Sequence, residues 1–105
     1  MSDAQILERL FATIESRRGA DPSSSWTAKL FAEGRPKIAQ KFGEEAVEVN
    51  IAALVQGPAA LTAESADLLY HLMVLWADAG VSPADVWAEL EKREGTSGIA
   101  EKSSR

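Results

Sequence analysis

The chain has 105 residues, 46% of them hydrophobic and 26% charged, with a formal charge of −5 and no cysteine. That is the size of one ordinary domain, too apolar for a disordered chain and too acidic for a default nucleic-acid binder, since phosphate contacts need clustered Lys and Arg. The lack of cysteine excludes a disulfide frame and a thiolate metal site, and no apolar run reaches the 18 residues of a membrane span, so the expected location is cytoplasmic.

The start, MSDAQILERL, is acidic and amphipathic rather than a signal peptide. Helical periodicity begins at about residue 3, with Ile6, Leu7, Leu10, Phe11 and Ile14 on one face, and runs to about residue 18. ADPSSSW is a turn that offers Asp21 and the serines as N-caps. A short helix is expected from Ser25 to about Glu33, ended by Gly34. Pro36 fits a first helical position, and a long helix then runs to about Gln56. Gly57-Pro58 breaks it, and the next helix continues to Ala79 and Gly80. In SPADVWAELEKR, Ser82 is the N-cap, Pro83 the first helical residue and Asp85 the capping-box acid. The tail from Gly95 is polar and reads as flexible. No strand alternation, internal repeat or linker stands out. The expectation is a single all-α domain over 1–105, with four to five helices and an antiparallel helical hairpin at its core.

The acids occupy particular faces of that hairpin. At roughly 100° per residue, Ile38, Ala39, Phe42, Ala46, Val49, Ala53 and Leu54 share one arc of the 38–56 helix. Lys37, Lys41, Glu44, Glu45 and Glu48 fill the other, with Glu45 at the border. Over 64–78, Glu64, Asp67, His71 and Asp78 form one narrow stripe, and everything else from Ala66 to Ala77 is apolar, the pattern of a buried helix. That stripe must face a narrow solvent channel or an enclosed polar site. Glu45 and Glu48 lie 12 and 9 residues before Gly57, and Glu64 and Asp67 lie 7 and 10 after it. In an antiparallel pair these levels agree to within roughly 3 Å, so two i, i+3 acid pairs face each other.

Four carboxylates in one place need compensation, because like charges raise each other's pKa and unpaired buried charge is costly. Lys37 and Lys41 are too few to neutralise them. A hard divalent cation held by oxygen ligands alone, Mg²⁺ or Mn²⁺, answers the need, and Mg²⁺ keeps positions for water and substrate phosphate. His71 reads either as a hydrogen-bonded core histidine or as a partner that orients Asp67. Trp26, Trp76 and Trp87 read as packing residues rather than a base-stacking platform, and Asp78 as a polar residue near a helix end.

EEAVE (44–48), a gap of 15 residues and ESAD (64–67) match the EExxE…ExxD pattern of the MazG-like all-α nucleoside triphosphate pyrophosphatases. With SWTAKLFAEG (25–34), KIAQKFGEEAVEV (37–49), ESADLLYHLMVLW (64–76) and REGTSGIAEKSSR (93–105), the chain resembles the phosphoribosyl-ATP pyrophosphatase family of histidine biosynthesis, in its stand-alone form. Asn50 and Trp26 depart from residues frequent in that family, and neither touches the acid motif. The resemblance implies Mg²⁺-dependent hydrolysis of 1-(5-phosphoribosyl)-ATP to the AMP form and pyrophosphate. It implies metal ligation by Glu45, Glu48, Glu64 and Asp67, with Glu44 a ligand or a base for water. On this reading Glu44 or Glu45 takes the water proton, Arg35, Lys37 or Lys41 meets phosphate, and Lys102 and Arg105 of the tail close over the phosphoribosyl end.

Two other readings stand beside it. One is a house-cleaning pyrophosphatase for non-standard nucleoside triphosphates. The other is a helical oligomerisation module whose acids only form ion pairs. A di-iron carboxylate bundle is disfavoured, because Glu-x-x-His is missing. The apolar excess on 49–55 and 66–77 exceeds what two short flanking helices can cover, so a homodimer is expected, and the resemblance agrees.

Overall fold

A computed structural model describes residues 2–104 and contains six helices and, among the described residues, no strand. Helix α1 spans Gln5–Ser16 and turns Leu7, Leu10, Phe11 and Ile14 toward the core, while Ile6, one position off that face, stays exposed. Helix α2 spans Trp26–Glu33; the Ser25 hydroxyl accepts the Ala28 N–H at 3.1 Å, which satisfies one of the orphan donors of the first turn. Gly34, at φ +95°, separates it from α3, Arg35–Ile51, so Pro36 is the second helical residue.

The last turn of the predicted long helix, Ala52–Gln56, is a π turn closed by the Gly57 N–H on the Ala52 carbonyl at 3.0 Å. Gly57 then takes φ +110°, a conformation L side chains avoid, and Pro58 opens α4, Pro58–Ala79. Gly80 ends α4 in a left-handed turn, with the Val81 N–H returning to the Trp76 carbonyl at 2.9 Å. Helix α5, Pro83–Arg93, has both halves of the Ser82–Asp85 capping box. The tail holds a seven-residue helix, α6 (Gly98–Ser104), to which the sequence pattern assigned no helix; the Ser97 hydroxyl accepts the Ala100 N–H at 3.0 Å.

Helices α3 and α4 form the antiparallel hairpin and share the most extensive helix contact. The core is small: Ile14, Leu30, Ile38, Met73, Val74 and Ala77, ringed by Leu7, Leu10, Phe11, Phe31, Tyr70, Leu75 and Trp76. Two arginines close the carboxyl end of α4. Arg18 donates to the Ala77 carbonyl at 2.7 Å, and Arg35 to the Asp78 carbonyl at 2.9 Å and its carboxylate at 2.8 Å. Cations at a helix C-terminus complement the helix dipole. Trp76 and Trp87 pack edge to face at 6.1 Å, as their reading as packing residues requires. Trp26 does not: it is 45% exposed.

Burial is incomplete for a domain of this composition. Leu54 is 82% and Val55 77% exposed, and Val47, Ile51 and Leu69 also stand at the surface. The pattern over 66–77 predicts burial all round, yet within one chain only His71, Met73, Val74 and Ala77 of α4 are buried. The accessible surface is 7038 Å², against about 5,700 Å² for a compact monomer of this mass. The radius of gyration is 15.7 Å, against about 13 Å for a compact chain of this length.

Candidate metal and substrate site

The hairpin brings one acid of α3 and both acids of α4 within reach of one another, and Glu48, expected beside them, lies outside that group. Glu45 on α3 and Glu64 and Asp67 on α4 each offer a carboxylate oxygen, and these oxygens lie within 4.8 Å of one another. Glu45 and Glu64 are half-buried and Asp67 is exposed. Glu48, one turn along α3, is exposed and lies close enough to repel Glu64. Partial burial, and after it the charges of Asp67, Glu48 and Glu45, push the Glu64 carboxyl above its ordinary range.

The donor set suits a hard cation. Oxygens bound to one Mg²⁺ at about 2.1 Å lie roughly 3 Å apart when adjacent and roughly 4 Å when opposite. A spread of 4.8 Å therefore needs only a small side-chain adjustment to close on such an ion. The set contains no nitrogen or sulfur donor, which disfavours the softer metals.

Glu44 is not one of the three and makes other contacts. Gln40 donates to it at 3.4 Å and the Lys41 ammonium stands 3.3 Å from it. Gln40 first, then Lys41, hold its carboxyl below the ordinary range. Lys37 adds to that field and is half-buried, one turn before Lys41. Lys41 is also 5.8 Å from the centre of the Trp26 ring. Arg35 is engaged on α4 through Asp78, and Asp78 thereby leaves the acid stripe for an ion pair. Lys102 is exposed on α6, and Arg105 lies outside the described residues.

His71 is buried, with Nδ1 2.8 Å from the Asp67 carbonyl and its ring edge-on to Tyr70 at 4.9 Å. It braces the Asp67 main chain rather than its carboxylate. Because a carbonyl only accepts, Nδ1 carries the proton in that bond. Tyr70 in turn shares a hydrogen bond with Thr27, tying the first turn of α2 to α4.

Two features escaped the sequence pattern. The first is this Thr27–Tyr70 bond, between residues 43 positions apart. The second is Lys29, whose ammonium is 5.7 Å from the Trp26 ring. Their one sequence signal was the Trp26–Lys29 spacing of one helical turn.

The phosphoribosyl-ATP pyrophosphohydrolase family model matches residues 7–94. Proteins named phosphoribosyl-ATP pyrophosphatase are similar over most of their length. The one from Paramagnetospirillum magneticum is 67% identical over 98% of this chain and 94% of its own. Those from Rhodospirillum rubrum and Azospirillum brasilense are each 65% identical, covering 96% and 97% of this chain and 86% and 92% of theirs.

Proposed function

The chain belongs to the phosphoribosyl-ATP pyrophosphohydrolase family, and on that premise we propose that it hydrolyses 1-(5-phosphoribosyl)-ATP to 1-(5-phosphoribosyl)-AMP and pyrophosphate, an early step of histidine biosynthesis. The observation that carries the reading is the convergence of Glu45, Glu64 and Asp67 from the two arms of one hairpin, in a chain this similar to such enzymes. Glu45, Glu48, Glu64 and Asp67 would hold Mg²⁺, with Mn²⁺ an alternative. When bound, the ion supplies charge neutralisation and polarises the phosphate it contacts.

The residues of the chain divide the remaining work. Lys37 and Lys41 meet triphosphate oxygens at the edge of the acid cluster. A carboxylate accepts the proton of the attacking water while the water oxygen bonds to phosphorus, the bridging P–O bond between the α- and β-phosphates breaks, and pyrophosphate leaves. Glu45 suits this better than Glu44, whose affinity for a proton is lowered by Gln40 and Lys41. Glu44 then serves to hold Lys41 in place. Arg35 serves the end of α4 instead of a phosphate, since Asp78 engages both its Nε and Nη2.

The working unit is a homodimer in the cytoplasm. Leu54, Val55, Ile51 and Leu69 form its contact, and the surface excess of about 1,300 Å² over a compact monomer exceeds the roughly 800 Å² each partner gives to a standard interface.

The test is pyrophosphate release from phosphoribosyl-ATP with and without Mg²⁺. Glu48→Gln and Asp67→Asn, each folded by circular dichroism, lose the Mg²⁺-dependent rate by a factor of about 100 or more. Near-normal turnover in either would defeat the ligand assignment. A faster rate with a panel of ordinary and damaged nucleoside triphosphates would move the substrate to the house-cleaning class.

A further inference from the structure

In a chain of charge −5, three of the five lysines, Lys29, Lys37 and Lys41, lie within 13 residues on α2 and the start of α3. Two of them flank one exposed aromatic ring. Lys41 is ion-paired to Glu44 and is one turn, or roughly 6 Å of helix rise, from Glu45. Lys29 makes no ion pair among the described residues and opens into a different space. That space is a surface cleft of about 640 Å³, lined by residues 22–26 and Lys29 and not by Lys41. The shape of its loop is fixed by Asp21, whose carboxylate accepts the Ser23 N–H at 2.9 Å and its hydroxyl at 2.8 Å. Trp26 itself is held by the Ser25 cap on one side and the Thr27–Tyr70 bond on the other.

The groups are thus an ammonium one turn of α3 from Glu45, an indole face, a second ammonium and an open cleft. The substrate carries its own sequence: a triphosphate, a ribose, a purine and, on the far side of the purine, a ribose bearing a 5′-phosphate. We propose that Trp26 is the stacking platform for the purine and that Lys29 binds the distal ribosyl 5′-phosphate, so that this pair selects phosphoribosyl-ATP over ATP. The inference rests on the substrate reading above. Its physical basis is that an exposed indole stacks any base, whereas only the ribosylated nucleotide carries a second phosphate for Lys29 to meet. The two lysines hold the ring only by weak cation–π contacts at an exposed site, and these yield to a stacked base.

The test compares phosphoribosyl-AMP with AMP as competitive inhibitors of pyrophosphate release by the full-length enzyme with Mg²⁺. Lys29→Met weakens phosphoribosyl-AMP by about tenfold or more, leaves the AMP inhibition constant within about twofold, and raises the KM for phosphoribosyl-ATP by a similar factor. Lys29→Arg restores most of the difference. Trp26→Ala weakens both inhibitors together, by roughly five- to a hundredfold. Lys29 is an exposed residue, and matching melting curves confirm that the variants fold. Equal loss of both inhibitors in Lys29→Met, or loss of neither, overturns the assignment of Lys29; unchanged inhibition in Trp26→Ala overturns the platform. A wild-type enzyme that does not hydrolyse phosphoribosyl-ATP at all would instead refute the substrate reading on which the pair depends.

Discussion

Replacing Leu54 and Val55 together by serine separates the proposed dimer into monomers without disturbing the fold of either. These side chains are 82% and 77% exposed, so the single chain draws almost nothing from them. Fully burying a residue of this kind is worth about 1.5–3 kcal/mol. Taking about 2 kcal/mol for each, reduced by about a fifth for the part already covered, and counting each twice because a two-fold interface sees both copies, gives about 6 kcal/mol. That weakens the dimer by a factor of about 10⁴ or more. Sedimentation velocity at micromolar concentration reads the result, with circular dichroism as the check on folding. Wild type sediments as a dimer and the double variant as a helical monomer. A wild-type monomer, or a double variant that stays dimeric, would refute the assignment of this apolar face to the interface.

Other outcomes follow from single groups. Without metal, Glu64 has its pKa raised in the folded state, so its protonation favours folding. The stability it contributes is full below the ordinary glutamate pKa and is lost as pH rises through the higher folded value. Melting temperatures of metal-free protein should therefore fall across that window, and Glu64→Gln should flatten the fall; a steeper fall in the variant would contradict the sign. Tyr70→Phe removes the bond to Thr27 and costs about 1 kcal/mol in urea unfolding, with Thr27→Val adding little once it is gone. Full additivity of the two would show that the bond contributes nothing. Ile38→Ala empties the centre of the hairpin and costs about 2–5 kcal/mol; a loss below 1 kcal/mol would mean the α3–α4 contact is not where the core lies.

The meeting of acids from two arms was legible in the sequence because two local facts govern it. Gly57-Pro58 sets the point of reversal, and helix rise then sets which acids share a level. Glu45 and Asp67 meet as that register allows, and Glu64 joins them, whereas Glu48, which the register sets level with both acids of α4, stays outside the group. The caps at Ser25, Gly80 and Ser82–Asp85 were equally local and equally readable. Partners distant along the chain were not. Periodicity placed Asp78 on the acid stripe but held no sign of Arg35, which takes it, or of Thr27, which takes Tyr70. It marked Trp26 as apolar without saying that the ring is left half in solvent between two lysines. It also read 66–77 as buried, whereas burial needs a second surface, and one chain supplies it only on the Met73–Val74 side.

Calorimetric titration of the metal-free protein with Mg²⁺, in wild type and in Asp67→Asn, tests most directly whether the two arms of the hairpin build a cation site. Wild type should bind with an affinity that rises with pH, as Glu64 loses its proton, and Asp67→Asn should bind at least about tenfold more weakly. Equal affinity in the two proteins would mean that these carboxylates meet for some other reason, and the proposed centre would have no metal.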